Sequence, residues 1–311
     1  LNLTNKNMIG TQFVLTNQAG DSVTINDHTT DPNNVIALQE YPTFEVDIKN
    51  QEIQKEGQNG IWDFYSFYGK RLIVFSGVIV GEDEAHVVEL QDKLKTVLTL
   101  PAEPDDNDSG IITITYTDPR GRALQTTGKL YSPIRYSRRL QEAFKLTFQI
   151  TLKSSDPDIV NQIETDSLGT RGFLSGSLQL PATFPAKIAF KKEGTLEINH
   201  LGNTYAHVII TINGALTNPR IENLETGRYM SFTTVLNAGQ KIVINSSLGT
   251  IVDENGVDVS STLDAGSSFI KLKAGVNNLY LTSDENITSN PIATRVFPAE
   301  VLEVEHRDTY L

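Results

Sequence analysis

Asp105, Asn107, Ser109, Gly110 and Ile112 stand at positions 1, 3, 5, 6 and 8 of a calcium-loop spacing. Such a loop closes on a bidentate glutamate at its twelfth position, and here that position is Tyr116. The segment therefore reads as an acidic, glycine-terminated loop, and no calcium site is expected. The five histidines are scattered, and only His200 and His207 lie within ten residues of each other. Their odd spacing on extended chain directs them to opposite faces. With no carboxylate or serine constellation beside them, neither zinc binding nor catalysis is expected. Glu82, Asp83 and Glu84 read as a cluster at a helix start rather than a glycosidase pair. No Gly-x-Ser-x-Gly elbow and no phosphate loop occurs. The chain has no cysteine, which removes disulfides, thiolate metal ligands and thiol nucleophiles together. The expectation is a protein without catalytic residues, metal or cofactor.

Two clusters suit binding rather than catalysis. Trp62, Phe64, Tyr65, Phe67 and Tyr68 form a dense aromatic run, which could stack sugars but more commonly fills a core or a subunit contact. Arg135, Arg138 and Arg139 form a basic cluster in an acidic chain. They read as a solvated face or as ion-pair donors between subunits. Trp62, Tyr65, Phe67, Tyr68, Arg135, Arg138 and Arg139 are thus the candidate subunit-interface residues.

The elements that must position these residues are mostly strands. Phe44–Ile48, Ile111–Tyr116, Ala143–Leu152, Ala206–Ile212, Lys241–Asn245 and Phe269–Leu272 alternate or are rich in β-branched residues, with Gly, Asn, Asp and Pro between them. One helix is predicted over Asp83–Leu98, where Val87, Leu90, Leu94, Val97 and Leu98 recur at helical spacing, acids come first and lysines last, and Pro101 follows as a stop. Asp118-Pro119-Arg120-Gly121 marks a turn. Asn255-Gly256, flanked by Ile251, Val252, Val257 and Val259, predicts a two-residue hairpin loop. Composition turns polar and glycine-rich after Ser154, so the 311-residue chain divides near residue 160 into domains 1–160 and 161–311. No apolar run approaches the ~20 residues of a membrane helix. The net charge of −12, shared by both halves, disfavours stable nucleic-acid binding.

The order of these elements and several short phrases resemble the distal tail proteins of siphophages, the Dit family. Lys70–Ile79 is similar to the family strand of form R-apolar-x-apolar-x-G before its helix, and Phe148–Pro157 to its closing strand and Asp-Pro. In the second half Asn199–Asn203, Val208–Gly214, Asn218–Asn223 and Thr226-Gly227 follow the family's N-x-G-N, I-x-G, N-P-x-I-x-N and T-G series in order. Ala238–Ile244, Leu272–Leu279 and Glu303–Leu311 continue it. Asn245 departs from a common Asp, and residues 284–296 look like an insertion.

The resemblance implies a mainly β protein of two β-sandwich-type domains, the first ring-forming with one helix and a β-hairpin, the second galectin-like. It implies a non-enzymatic virion protein, made in the host bacterial cytoplasm and placed at the tail tip or baseplate. There a homo-hexameric ring joins the tail tube protein to the tail-associated hub or lysin protein, with the tape measure and receptor-binding proteins as further neighbours. The residues leave a second class open: a carbohydrate-binding module of a phage adhesion device, as galectin-like sandwiches elsewhere bind sugars. Against it, the second half has no tryptophan for a sugar platform.

Overall fold

The structure, a computed structural model, describes residues 11–27, 35–54, 61–100, 109–138, 144–169, 173–176, 190–193, 195–284 and 302–311. It is mainly β, with one α-helix among the described residues. The chain divides into two compact units, Leu1–Gln162 and Ile163–Leu311.

The first unit contains β1 (Phe13–Thr16), β2 (Ser22–Ile25), β3 (Val35–Leu38), β4 (Thr43–Gln54), β5 (Ile61–Val80), α1 (Glu84–Leu98), β6 (Ile112–Thr117), β7 (Ala123–Leu130), β8 (Arg135–Ser137), β9 (Lys145–Ser154) and β10 (Ile159–Asn161). Its strands run in the order β2-β1-β6-β7-β9-β5-β3, all antiparallel, with β4 on β5, β8 on β9 and β10 on β7. β7 changes partner along its length: Ala123–Gly128 pair with β6, and Lys129 and Leu130 pair with β9. That switch folds the sheet over on itself. Phe13 of β1 then meets Phe75 of β5 edge to face at 5.4 Å, and alternate residues of both layers fill the core.

Two residues of the Lys70–Ile79 strand show why their types are needed. Arg71 is buried and its Nε donates to the Pro157 carbonyl at 2.7 Å, tying the strand to the Asp-Pro segment. Gly77 lies opposite Phe148. A Cβ at Gly77 would stand 2.4 Å from both the Phe148 ring and the Ala37 carbonyl, so any side chain there displaces the neighbouring strands.

Helix α1 begins where the charges said it would. Asp83 is its N-cap, accepting the His86 N–H through Oδ1 at 2.8 Å, and that bond holds the carboxyl below its usual range. Glu84 opens the first turn and Lys95 lies in the last, each favourable toward the helix dipole. Val87, Leu94, Val97 and Leu98 are buried, while Leu90 is half-buried. The helix ends at Leu98; Pro101 lies outside the described residues. Asp83→Ala is expected to lower the thermal midpoint of this unit by roughly a few degrees, and Asp83→Asn to leave it nearly unchanged because asparagine caps as well. Paired melts followed by circular dichroism check this, and equal losses in the two variants would deny the cap its role.

The turn at Asp118 is built by that side chain. Oδ1 accepts the Arg120 and Arg122 N–H groups, both at 2.9 Å, and Oδ2 accepts Arg122 Nε at 2.7 Å. Burial alone would raise the Asp118 carboxyl, but these bonds outweigh it and hold it low.

In the second unit the sheet containing strands Thr165–Gly169, Leu302–His306, Ala206–Asn213, Lys241–Asn245 and Thr250–Asp253 faces a sheet of Leu196–His200, Gly275–Thr282, Arg220–Asn223 and Arg228–Ser231. Ile210, Ile212, Ile244 and Val304 from one layer and Ile198, Ile221, Met230 and Leu281 from the other form a single buried cluster. This is a β-sandwich.

The loop at Asn255-Gly256 corrects the two-residue expectation. Asp253 N–H bonds to the Val257 carbonyl at 2.9 Å, which leaves Glu254, Asn255 and Gly256 as a three-residue loop with Gly256 at φ 79°. The Asp253 carboxylate makes the difference, accepting N–H groups from Asn255 at 2.8 Å and Val257 at 2.9 Å.

Candidate functional site

β4 and β5 are 12 and 20 residues long, far more than the five or six of an ordinary strand. β9 pairs with β5 only from Arg71 to Val80. Before Arg71, among the described residues, β5 is paired by β4 alone. The two therefore continue past the sheet as a two-stranded ribbon, roughly 30 Å long at ~3.3 Å per residue. Its register shifts between Val46 and Ile48 and again between Asn50 and Glu52, and such bulges increase local twist.

The ribbon carries the aromatic run. Tyr65 is 78% exposed, Phe67 52% and Tyr68 57%, and Ile48, the partner of Tyr68 across the ribbon, is 59% exposed. Phe67 and Tyr68 are consecutive and so lie on opposite faces. Both faces of the ribbon thus present large apolar side chains to solvent, and the core-filling reading of Tyr65, Phe67 and Tyr68 is set aside. Trp62 lies in β5 opposite Ile53; its side chain, and that of Phe64, lie outside the described residues.

The arginines sit elsewhere. Arg135 is exposed on β8 opposite Gln149, itself opposite Ser76 of β5. Eight residues of strand separate Ser76 from Tyr68, about 26 Å, so the structure keeps the basic and aromatic clusters apart. Arg138 follows β8 and donates through Nη1 to Glu84 Oε1 at 2.8 Å, linking β8 to the helix start. Both partners are largely exposed, and such a pair contributes little to stability. Arg139 lies outside the described residues. Beside this cluster an open apolar groove is lined by Leu98, Leu100, Leu130, Tyr131, Ile134 and Tyr136. Burial pushes the Tyr136 hydroxyl up to about 12.

Of the calcium-loop spacing, Asp105 and Asn107 lie outside the described residues. Ser109 and Ile111 donate their N–H groups to Gln18 Oε1 at 2.7 and 3.3 Å. Tyr116, at the twelfth position, is buried with its ring stacked 5.0 Å from Phe13.

The histidines need a correction. His200 does have a carboxylate beside it: Asp308 Oδ1 lies 2.9 Å from its Nδ1, with His306 Nε2 3.9 Å from the same oxygen. Burial pushes the His306 imidazole below its usual range, and Asp308 opposes that shift. More than a hundred residues of chain separate the partners, so no local spacing could reveal them. His207 instead has Nδ1 2.9 Å from the Ser246 carbonyl.

Residues 202–291 match the family described as siphovirus-type tail component, C-terminal domain. The match covers the middle of the second unit. The resemblance to distal tail proteins read from the residues is borne out by the match. No curated protein matches the sequence. Among solved structures the chain is similar to the SPP1 Dit (gp 19.1) protein, described as a paradigm of hub adsorption apparatus in phages infecting Gram-positive bacteria. Identity is 12%, TM-score 0.61, with 96% of this chain and 99% of that one covered. At that identity the likeness concerns the fold. Structures of the phage P2 baseplate in its activated conformation with Ca and with Sr also align, at TM-scores of 0.42 and 0.41 and 12% identity, over 96% of this chain and 98% of theirs.

Within the matched residues, Gly202 and Asn223 have structural work. A Cβ on Gly202 would stand 2.1 Å from the Thr309 carbonyl and 2.4 Å from the His200 ring. Asn223 is buried, its Oδ1 accepting the Glu225 N–H at 3.1 Å and its Nδ2 donating to Asn277 Oδ1 at 3.1 Å. None of the seven interface candidates falls in this stretch; all lie in the first unit.

Proposed function

We propose that this chain is a non-enzymatic structural protein of a siphophage tail tip, in which copies join through the first unit into a ring that connects the tail tube to the hub. The observation that carries this reading is the β4–β5 ribbon. An isolated two-stranded ribbon is marginal in water, and one with aromatics on both faces lowers its free energy by burying them against another chain. A ring of six copies, with tube and hub proteins as neighbours, is what the family resemblance adds. A contact between two different surfaces closes into a ring when the rotation between copies permits. The exposed face of Arg135 suits an acidic partner, since the chain has a net charge of −12. A sugar-binding role draws no support from Tyr229, whose ring face is covered by the Arg220 guanidinium at 3.8 Å.

The test compares the full chain with a Tyr65→Ser, Phe67→Ser, Tyr68→Ser variant by analytical ultracentrifugation over a wide concentration range. Self-association is expected for the parent chain and is expected to weaken at least about tenfold in the variant, because aromatic anchors dominate subunit contacts. Equal association of the two at unchanged circular dichroism would remove the ribbon from the interface.

A further inference from the structure

The second unit brings three ligand-bearing side chains into one closed place. His200 ends the strand Leu196–His200, and His306 and Asp308 lie on the last stretch of chain. They are 1%, 3% and 7% exposed, and their donor atoms all lie within 4.8 Å of one another.

The hydrogen bonds around His200 constrain its tautomer. Its Nε2 is 2.9 Å from the Thr204 carbonyl oxygen, which can only accept, so Nε2 carries a proton. In a neutral ring Nδ1 then turns a lone pair toward Asp308 Oδ1 at 2.9 Å. Two acceptors at that distance are held together by a shared cation, which is either a second ring proton, giving an ion pair with the carboxylate, or a metal ion. The same Oδ1 accepts the Leu201 N–H at 2.7 Å, which fixes the carboxylate in place. His306, whose ring meets that of His200 edge to face at 6.2 Å, has its Nδ1 buried without a hydrogen-bond partner, an atom of the kind that native interiors seldom leave unsatisfied.

We propose that His200 Nδ1, His306 Nε2 and Asp308 Oδ1 bind one divalent transition-metal ion of the zinc class, pinning the C-terminal segment to the Asn199–Thr204 turn. Ligands about 2.0–2.1 Å from a tetrahedral centre stand roughly 3.3 Å apart. The Nδ1 to Oδ1 and Nε2 to Oδ1 separations of 2.9 and 3.9 Å bracket that value, so small side-chain rotations complete the geometry. A histidine that ligates through one nitrogen while donating its other N–H to a carbonyl is the usual arrangement around zinc, and Thr204 supplies that carbonyl. Two imidazoles and one carboxylate suit zinc or cobalt, whereas calcium requires six or more oxygens. Three protein ligands leave the fourth tetrahedral position to a water molecule, and the burial of all three side chains suits a role in holding chain segments together.

The test uses the full chain, stripped of metal by chelation and then titrated with zinc chloride, calcium chloride or cobalt chloride. Expected are one zinc ion per chain, a melting temperature that rises with zinc concentration as native-state binding requires and does not respond to calcium, and the visible absorption of tetrahedral cobalt. His306→Gln preserves a neutral polar side chain of similar reach and is expected to melt near the parent's metal-free temperature while losing zinc affinity by at least about tenfold. No zinc-dependent rise and no cobalt band in the parent chain would overturn the proposal. A cobalt spectrum in His306→Gln identical to the parent's would overturn it as well.

Discussion

Phe13→Ala is expected to destabilise the first unit by about 3–5 kcal/mol, the range for removing a fully buried aromatic ring. Phe13 is fully buried, and its neighbours show why the cavity would not collapse. The ring stacks on Tyr116 at 5.0 Å, meets Phe75 edge to face at 5.4 Å and Tyr41 at 5.8 Å, and lies 6.4 Å from Phe44. The rings of Tyr116, Phe75 and Phe44 come from separate strands, β6, β5 and β4, each held by its own ladder, so none of these three can move into the space without breaking pairing, and Tyr41 approaches from the loop before β4. Phe13→Leu keeps most of the volume and is expected to cost less than half as much. Urea unfolding of the full chain, fitted for two transitions, separates this unit from the other. A loss below about 1 kcal/mol for alanine would mean that the aromatic cluster is not the core of the unit.

Much of this fold was legible because the signals are local. The α1 start could be placed within a residue, since an acidic cap, its bond to the third residue along and the helical recurrence of Val87, Leu94 and Leu98 all lie within one short window. Strands could be located for the same reason. What escaped was decided between distant segments. Hydrophobicity alone cannot tell whether Tyr65 and Tyr68 fill a core or face water. The answer depends on β9 reaching β5 only from Arg71 onward, a register spread over more than eighty residues. The loop at Asn255-Gly256 was misjudged by one residue because the Asp253 side chain, rather than the two turn residues, sets its hydrogen bonds. His200, His306 and Asp308 were separated by a sheet's worth of chain. The one signal available was the last family phrase, Glu303–Leu311, which carries both His306 and Asp308.

In the second unit Asn223→Ala is expected to cost about 3–5 kcal/mol, at ~1–3 kcal/mol for each buried polar group left without a partner. The side chain is fully buried and all its capacity is used. Oδ1 accepts the N–H groups of Glu225 and Thr226 at 3.1 and 3.3 Å, and Nδ2 donates to the Lys271 carbonyl at 3.2 Å and to Asn277 Oδ1 at 3.1 Å. Asn277, also buried, accepts the Lys273 N–H at 3.0 Å and donates to the carbonyls of Lys273 and Gly275 at 2.8 and 2.9 Å. The two asparagines therefore join the turn after strand Arg220–Asn223 to the turn before strand Gly275–Thr282. Truncating one frees donors and acceptors on both turns at once. Asn223→Asp separates the two halves of the network. It keeps an acceptor for the two N–H groups but sets an oxygen against the Lys271 carbonyl and the Asn277 oxygen, so a comparable loss is expected by repulsion in a site of low dielectric. Asn245 provides the contrast. It also accepts two N–H groups, from Ser247 and Leu248, both at 3.0 Å, but in an exposed turn, where water replaces what is removed. Asn245→Ala is expected to cost no more than about 1 kcal/mol. The three variants are compared by urea unfolding of the full chain, and a loss for Asn223→Ala no greater than that for Asn245→Ala would show that the buried asparagine pair is not what locks the two turns together.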